Sequence, residues 1–273
     1  MRTFLKTLSF ILSVMLLLGM STSALAYTGK NLEAPKAGEV VIDGDLGEWD
    51  TTKCIRIDAE GQIIDQIEHW DGAEDCAMEL YAMWDEENLY IAMKIFDDTP
   101  LVYREGFPLD ELDAIILFMS TDPAADPART EYAATDWRIV QSADKYKNDF
   151  DFFNYIDRDM IADPMGWETQ GEYGDELVFE DFEGAIADME GGIIWESRIS
   201  LAELSNDQIA QLVPAAGTVI GFDCSILDVD LPCPGIHSLR MQCSAELEGR
   251  DRSPEAYAVD TNPSLWGTLT FVD

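Results

Sequence analysis

Carboxylates are the side chains of this sequence whose types and spacing could best perform chemistry. The chain has 54 Asp and Glu residues against 17 Lys and Arg, which gives a formal net charge of −37 at pH 7. Ca²⁺ binds about six to eight oxygen atoms, which several loops must supply together. The candidates are closely spaced acidic pairs, namely Asp43 with Asp45, Asp97 with Asp98, and Asp228 with Asp230. Each pair can equally cap a turn, and the sequence contains no EF-hand loop.

The strong negative charge also limits the partners of the protein, because it repels nucleic acid and anionic membranes. Catalysis finds little support, since His69 and His237 are the only imidazoles available for a triad or a zinc site. Two carboxylates could in principle hydrolyse a glycoside. In a chain this acidic, however, neighbouring carboxylates are expected by chance. These residues therefore do not indicate a catalytic site.

Residues 80–96 predict a β-hairpin around which the rest of the chain is organised. Apolar and aromatic residues alternate with period two on both sides of the polar segment 85–88, which is typical of two strands joined by a turn. Except for Lys94, both faces of this hairpin are largely apolar. The hairpin is therefore expected inside a sheet and covered on both sides.

The other elements predict an all-β protein, a single antiparallel β-sandwich of the jelly-roll or immunoglobulin-like type. One short helix is predicted over about residues 201–211, where Ser200 and Glu203 resemble a capping box. A long loop insertion without a clear period is predicted over 143–180. The remaining strand-like runs are 40–42, 112–119, 136–142, 183–188, 193–199, 217–230, 239–246 and 265–272.

The first 26 residues predict a cleavable signal peptide. Arg2 and Lys6 precede an apolar run that is too short to span a bilayer, and Ala24 to Ala26 provide small residues for cleavage after Ala26. No later apolar segment is expected to anchor the chain. The prediction is therefore a secreted protein with an N-terminal extension over 27–37 and the sandwich over 38–273.

Five cysteines lie in this exported chain: Cys54, Cys76, Cys224, Cys233 and Cys243. An exported context permits disulfides, and the absence of a Cys-x-x-Cys spacing disfavours metal binding by thiols. Cys224 and Cys243 lie on two strand-like runs that could pair, so a bridge between them is predicted. A Cys54–Cys76 bridge is the second candidate, and the full connectivity is left open.

The order of these signatures resembles the family 9 carbohydrate-binding modules and their wider DOMON-like β-sandwich relatives. The resemblance extends over nearly all of residues 38–273, except much of 143–180. The matching pieces are Ile42–Asp45 with Trp49, Met83–Ala92 with Asp97, Asp113–Phe118, Glu190–Glu196 with Ile199 and Leu204, Gly217–Asp223 with Asp228, and Trp266–Leu269.

This resemblance implies a sugar site built from aromatic rings and polar side chains, because stacking buries the apolar faces of a sugar while its hydroxyl groups are hydrogen-bonded. The better-known relatives hold the sugar between two Trp rings, and neither Trp is present here. Phe107 lies in the first corresponding loop and Tyr257 in the last, with Asp260 nearer the expected position. Arg138 matches a family arginine, whereas Ile116 replaces a family carboxylate.

Tryptophans divide into two groups in this interpretation. Those inside strand patterns or at core positions of the family are predicted to be structural, namely Trp49, Trp84, Trp195 and Trp266. Those in or beside predicted loops are freer to face a ligand, namely Trp70, Trp137 and Trp167, and Trp167 is the first candidate to assist sugar binding. The resemblance also implies structural calcium, with Asp43, Asp45, Asp228 and Asp230 as the candidate ligands.

Two other classes of function stay open from the sequence alone. Some DOMON-like relatives bind haem through Met and His, and the chain has 11 Met and two His but no haem-attachment motif. An extracellular structural or adhesion protein would keep the sandwich and bind no small ligand. If a sugar is bound, an extracellular enzyme or a cell-surface complex is the expected context.

Overall fold

The two sheets of this protein are described by a computed structural model covering residues 27–102, 112–144, 151–156, 179–205, 210–230, 239–246 and 253–273. The predicted signal peptide and the candidate ligand residues Phe107 and Trp167 lie outside the described residues. No helix in the described ranges is long and apolar enough to cross a membrane.

The described residues are mostly strands, which confirms the all-β class. The strands are β1 Asn31–Pro35, β2 Ile55–Ile57, β3 Ile63–Asp65, β4 Cys76–Trp84, β5 Asn88–Asp97, β6 Ala114–Ser120, β7 Asp136–Asp144, β8 Asp151–Ile156, β9 Phe182–Met189, β10 Gly192–Ser200, β11 Val219–Asp228, β12 Leu239–Gln242 and β13 Gly267–Val272. The helical elements are α1, Pro254–Tyr257, and the 3-10 turns Glu60–Gln62, Ile67–His69, Ala258–Asp260 and Pro263–Leu265.

The strands form two sheets. The eight-stranded sheet has the order β1-β13-β11-β6-β7-β8, with β12 pairing with β11 and β3, and the five-stranded sheet has the order β2-β4-β5-β10-β9. All pairs are antiparallel except β1 with β13. The fold is thus the predicted β-sandwich, with one parallel pair at the edge of the larger sheet.

The predicted hairpin is confirmed as β4 and β5 in the interior of the five-stranded sheet. Leu80 lies opposite Met93 in an unbroken antiparallel register. Asp85 closes the turn, because its Oδ1 accepts hydrogen bonds of 2.7 Å from the backbone N–H groups of both Glu87 and Asn88. A short polar side chain that bonds to nearby backbone is the turn chemistry expected of Asp.

The main core lies between the two sheets. Period-two alternation directs one row of hairpin side chains into it, including Trp84, whose ring stacks on Phe271 of the other sheet at 5.5 Å between centroids. Trp49, Trp84, Trp195 and Trp266 are all buried, which confirms their structural assignment. Each fully buried large side chain stabilises the fold by about 1.5–3 kcal/mol.

The outer face of the five-stranded sheet is covered by residues 37–54, here called the covering segment. Leu46 and Trp49 of this segment pack with the outward row of the hairpin, which includes Tyr81, Met83 and Tyr90. The prediction that the hairpin is covered on both sides is therefore confirmed. A segment with little regular structure provides the second layer.

Three local features differ from the sequence expectations. Strand β1 lies in the segment taken as an N-terminal extension, so the sandwich includes residues before position 38. Strand β8 lies within the segment expected to be a loop, where six residues are too few to show a clear period. Residues 201–204 form a turn rather than the start of a helix, and residues 206–209 lie outside the described residues.

The disulfide prediction is not supported, because Cys54, Cys76, Cys224 and Cys243 are all free thiols. The regular pairing of β11 with β12 ends at Ser225 and Gln242. Beyond it the backbone N–H of Cys243 donates to the carbonyl of Cys224 at 2.8 Å, whereas the N–H of Cys224 donates to Asp223 Oδ1. Cys233 lies outside the described residues.

Candidate functional site

The outer face of the eight-stranded sheet carries the strand residues that the resemblance associates with sugar binding. Ile116 of β6 lies opposite Val140 of β7, and Arg138 lies opposite Phe118. Ile116, Phe118 and Val140 form an apolar cluster on this face, and Ile116 is fully buried. Where the family has a carboxylate, this protein therefore has part of a second apolar cluster. Arg138 is buried, with only 3% of its surface exposed.

The candidate ligand residue Asp260 is engaged in an ion pair. Its two carboxylate oxygens accept hydrogen bonds of 2.7 and 2.5 Å from Nη1 and Nη2 of Arg240, in the bidentate geometry that suits a guanidinium. Its backbone carbonyl accepts a 2.6 Å bond from the hydroxyl of Tyr132. These contacts give Asp260 a role in holding the turn after α1 against β12. Sequence reasoning missed Arg240 because nothing local connects it to residue 260.

The structure places the described aromatic candidates differently from one another. Tyr257 at the end of α1 is 38% exposed and is available for stacking. Trp137, which the sequence leaves freer to face a ligand, points into the main core, where it is fully buried and its indole N–H donates to Thr121. Trp70 is partly buried, and its indole N–H donates to the carbonyl of Cys76 at 2.9 Å.

Three buried carboxylates converge at one end of the sandwich, and they are here called the carboxylate cluster. One oxygen each from Asp97, Asp113 and Asp228 lies within 4.8 Å of the others. Asp97 ends β5 of the smaller sheet, whereas Asp113 precedes β6 and Asp228 ends β11 of the larger sheet. The carboxylate cluster therefore joins the two sheets where these interior strands begin or end.

Each carboxyl of the cluster has a raised pKa, and burial is the main cause. The pKa of Asp97 is raised to about 6 and that of Asp228 to about 9, with the charges of neighbouring aspartates adding to the effect of burial. The pKa of Asp113 is raised well above its usual value, chiefly by burial. Burial and like charges both favour the neutral form of a carboxyl, and a group of such residues is a candidate functional site.

The oxygens of the cluster differ in their hydrogen bonds. Asp113 accepts from the backbone N–H groups of Val229 and Val102 at 2.8 and 2.7 Å. Asp228 is only 5% exposed, and its buried Oδ1 has no hydrogen-bond partner. A buried polar atom without a partner is costly. An orphan carboxylate oxygen beside two further carboxylates fits an oxygen-binding divalent cation such as Ca²⁺.

A second acidic group lies beside the first. It consists of Asp75, Asp98 and Asp230, which are partly or fully exposed. The charges of this group reach the buried cluster, since Asp230 and Asp98 both raise the pKa of Asp97. The sequence pairs Asp97–Asp98 and Asp228–Asp230 are thus divided between the buried and the exposed group.

Asp43 and Asp45 lie elsewhere, in a turn of the covering segment. Asp43 Oδ1 accepts from the backbone N–H of Asp45, and Asp45 Oδ1 accepts from Gly47, both at 2.9 Å. Buried Glu196 of β10 binds the same turn, accepting from the N–H groups of Asp43 and Gly44 at 3.0 and 2.9 Å. Neither acidic group found in the described residues includes Asp43 or Asp45.

A family model described as "Carbohydrate family 9 binding domain-like" matches residues 42–273. The chain belongs to this family. Its matched region contains both sheets apart from β1, together with the carboxylate cluster. No curated protein matches the sequence.

Solved structures of the same type share the fold of this family member. One is a family 9 carbohydrate-binding module from Caldicellulosiruptor kristjanssonii in complex with cellotriose, with 18% identity, a TM-score of 0.54, and coverage of 89% of this chain and 94% of that chain. Another is a module of the same description from that organism in complex with glucose, with 18% identity, a TM-score of 0.54, and coverage of 89% and 95%. The likeness establishes the fold.

Proposed function

We propose that this protein is an exported, non-catalytic carbohydrate-binding protein. The observation that carries the proposal is its membership of the carbohydrate family 9 binding domain-like family over residues 42–273. The solved structures of similar fold hold cellotriose and glucose, which makes a glucose-containing saccharide the first ligand to test. The signal-peptide pattern of residues 1–26 supports export.

The proposed site uses the outer face of the eight-stranded sheet and the loops beside it. Tyr257 provides an exposed ring for stacking, and the sequence places Phe107 in the loop where the family has its other ring. Arg138 supplies N–H donors from β7. Because Ile116 replaces a carboxylate, one charge-assisted hydrogen bond of about 1.5–3 kcal/mol is missing. Binding is therefore expected to be weak, with a dissociation constant on the order of 1 mM.

The test is a titration of the purified protein with glucose, cellotriose and a panel of other soluble sugars by calorimetry. Tyr257→Ala should weaken binding about tenfold, whereas Tyr257→Phe, which keeps the ring, should bind like the wild type. Arg138→Ala should also weaken binding. Unchanged affinity in both Ala variants would place the site on another face. Absence of binding to any sugar would favour a structural protein, and a haem absorption band would favour the redox alternative.

Calcium is the cofactor proposed for the carboxylate cluster. Asp97, Asp113 and Asp228 would hold the ion, which supplies positive charge among buried carboxylates and gives the orphan oxygen of Asp228 a partner. Two of the four ligands expected from the sequence, Asp43 and Asp45, are engaged in turn capping instead. Because the cluster contains residues from both sheets, the proposed role of the ion is structural.

A further inference from the structure

Tyr257, the exposed ring of the proposed sugar site, lies at the end of a very short helix. α1 has only four residues, and helices of this length are not stable by themselves. The residues near Tyr257 in the chain are buried: Ala256 is 0% and Val259 5% exposed, and both pack with Ile64 in a small apolar cluster. The position of the ring therefore depends on the contacts that its neighbours make.

Three polar contacts hold the turn that follows α1. The carboxylate of Asp260 accepts bonds of 2.7 and 2.5 Å from Arg240. The hydroxyl of Tyr132 donates to the carbonyl of Asp260 at 2.6 Å, and the indole N–H of Trp266 donates to the carbonyl of Val259 at 2.9 Å. The contact with Arg240 is charge-assisted and bidentate, so we expect it to be the strongest and the most directional of the three.

Arg240 is itself held by side chains of the eight-stranded sheet. Its Nε and Nη2 donate to Ser225 Oγ of β11 at 3.2 and 3.0 Å. The Ser225 hydroxyl donates to Gln242 Oε1, and Gln242 Nε2 donates to Asp223 Oδ1 at 2.8 Å. Ser225, Gln242 and Asp223 are all fully buried. A buried hydrogen-bond network therefore fixes the guanidinium that binds the turn after α1.

The rigidity of this turn matters for stacking, because a ring that is mobile in the free protein loses conformational freedom when it binds a sugar. Without Arg240 the turn would keep the two neutral hydrogen bonds from Tyr132 and Trp266, but the carboxylate of Asp260 would lose its charged partner. The ring of Tyr257 would then be held less firmly. The affinity for a stacked sugar should fall although the ring itself is still present.

We infer that Arg240 is a positioning residue for sugar binding: through its ion pair with Asp260 it holds the ring of Tyr257 where a sugar can stack on it. Asp260 then contributes to binding as the partner of Arg240 and not as a ligand of the sugar. This inference rests on the proposed function. Arg240→Ala should weaken binding about fivefold, within the range of coupling between residues of one hydrogen-bond network.

The experiment is a double-mutant cycle on the full protein, in which NMR titration measures the dissociation constant for cellotriose well below the unfolding temperature. Arg240→Ala should weaken binding about fivefold in the wild-type background and equally in Tyr257→Phe, which keeps the ring. In Tyr257→Ala no ring is left to position, so adding Arg240→Ala should cause no further loss. A merely structural role of Arg240 would weaken binding alike in all three backgrounds.

Backbone hydrogen exchange without sugar is the second measurement. The N–H of Asn262 donates to the carbonyl of Ala258 at 2.9 Å, so its exchange reports on the turn after α1 and should become faster in Arg240→Ala. The control is Arg198→Ala, which removes an arginine of the other sheet that also bonds to two carboxylates. It should change neither this exchange nor the affinity for cellotriose.

Tyr132→Phe removes one neutral hydrogen bond to the same turn and should weaken binding about twofold in the same pattern, which keeps the test available if Arg240→Ala does not fold. Unchanged affinity or unchanged exchange in Arg240→Ala would overturn the inference and leave the proposed function intact. A further loss on adding Arg240→Ala to Tyr257→Ala would also overturn it, because the guanidinium would then act without the ring. If the wild type binds neither cellotriose nor any other sugar tested, the proposed function is refuted and this inference with it.

Discussion

Two regions of this molecule bury carboxylates in opposite ways. On the five-stranded sheet, Glu196 accepts three hydrogen bonds, from the backbone of Asp43 and Gly44 and from the indole N–H of Trp49 at 2.9 Å. In the carboxylate cluster, Asp228 has an oxygen with no hydrogen-bond partner, and two other carboxylates lie beside it. Both residues are almost completely buried.

The difference teaches that burial alone does not identify a binding site. The pKa of Glu196 is raised by its burial, but its hydrogen bonds act in the opposite direction. At Asp228 the burial and the neighbouring charges raise the pKa together. A carboxylate whose oxygens accept from protein donors is stabilised by the fold, whereas a buried one that lacks donors is either protonated or neutralised by a bound cation.

The largest expected effect concerns Glu196, the buried carboxylate that accepts hydrogen bonds from the protein. Glu196→Ala leaves two buried donors, the Gly44 N–H and the Trp49 indole N–H, and the part-buried Asp43 N–H without an acceptor. At about 1–3 kcal/mol for each buried donor, the free energy of unfolding should fall by about 4 kcal/mol. Urea unfolding followed by fluorescence measures it. The loss should be the same in Ca²⁺ and in chelator. Glu190→Ala, in the exposed turn before β10, is the control and should change stability by less than about 0.5 kcal/mol.

The next largest effect concerns Ca²⁺ at the carboxylate cluster. Ca²⁺ at one hundred times its dissociation constant should raise the free energy of unfolding by about 2.7 kcal/mol, because the folded cluster binds the ion and the unfolded chain does not. Thermal unfolding in chelator and in Ca²⁺ measures the shift. Mg²⁺ should be less effective, since it requires a smaller octahedral site. Identical melting temperatures in all three buffers would contradict the calcium proposal.

Asp223 is intermediate between Glu196 and Asp228. Its carboxylate accepts hydrogen bonds from the protein, but it is completely buried and its pKa is raised. It accepts from Cys224, Gln242 and Gly267, yet burial raises its pKa from 3.8 to about 6. Because the folded state then holds the proton more tightly, the stability from this group is present below about pH 4 and lost as pH rises through about 6.

The wild type should therefore lose on the order of 2 kcal/mol more than Asp223→Asn between pH 4 and pH 7. Chemical unfolding of both proteins at several pH values, at one fixed Ca²⁺ concentration, measures the difference. Parallel stability curves would show that Asp223 is ionised throughout this range.

The smallest effect is expected for Asp228→Asn without calcium. A pKa of about 9 means that the carboxyl is mostly protonated at pH 7 in chelator, so a neutral amide should change the free energy of unfolding by less than about 1 kcal/mol. The same variant should lose the stabilisation by Ca²⁺. A loss as large as that of Glu196→Ala in chelator would remove the distinction between the two regions.

Much of the architecture follows from local patterns in the sequence. Alternation over 80–96 specifies a strand pair, and its two apolar rows require cover on both sides, which the main core and the covering segment provide. Leu46 and Trp49 lack a strand pattern of their own, so their position on the sheet could not be read from period alone. The four Trp residues predicted to be structural, namely Trp49, Trp84, Trp195 and Trp266, are all buried.

Local sequence patterns say less about where single side chains lie. Trp137 is in a strand-like run, but whether it faced the core or a ligand depended on the register of β7 against β6, since a shift by one residue reverses the face. Asp260 was expected to bind a sugar because of its position in the chain. Its pairing with Arg240 depends on how the turn after α1 approaches β12, which no local pattern encodes.

By itself the sequence determined the strand content, the central hairpin, the acidic character and the family order of motifs, because each depends on residues close together in the chain. Only the tertiary structure decided which acids form a site. Asp97 and Asp98 are neighbours in sequence, but successive side chains of an extended chain point to opposite sides, so they enter different groups. Asp97, Asp113 and Asp228 meet because the packing of the two sheets brings the ends of three interior strands together.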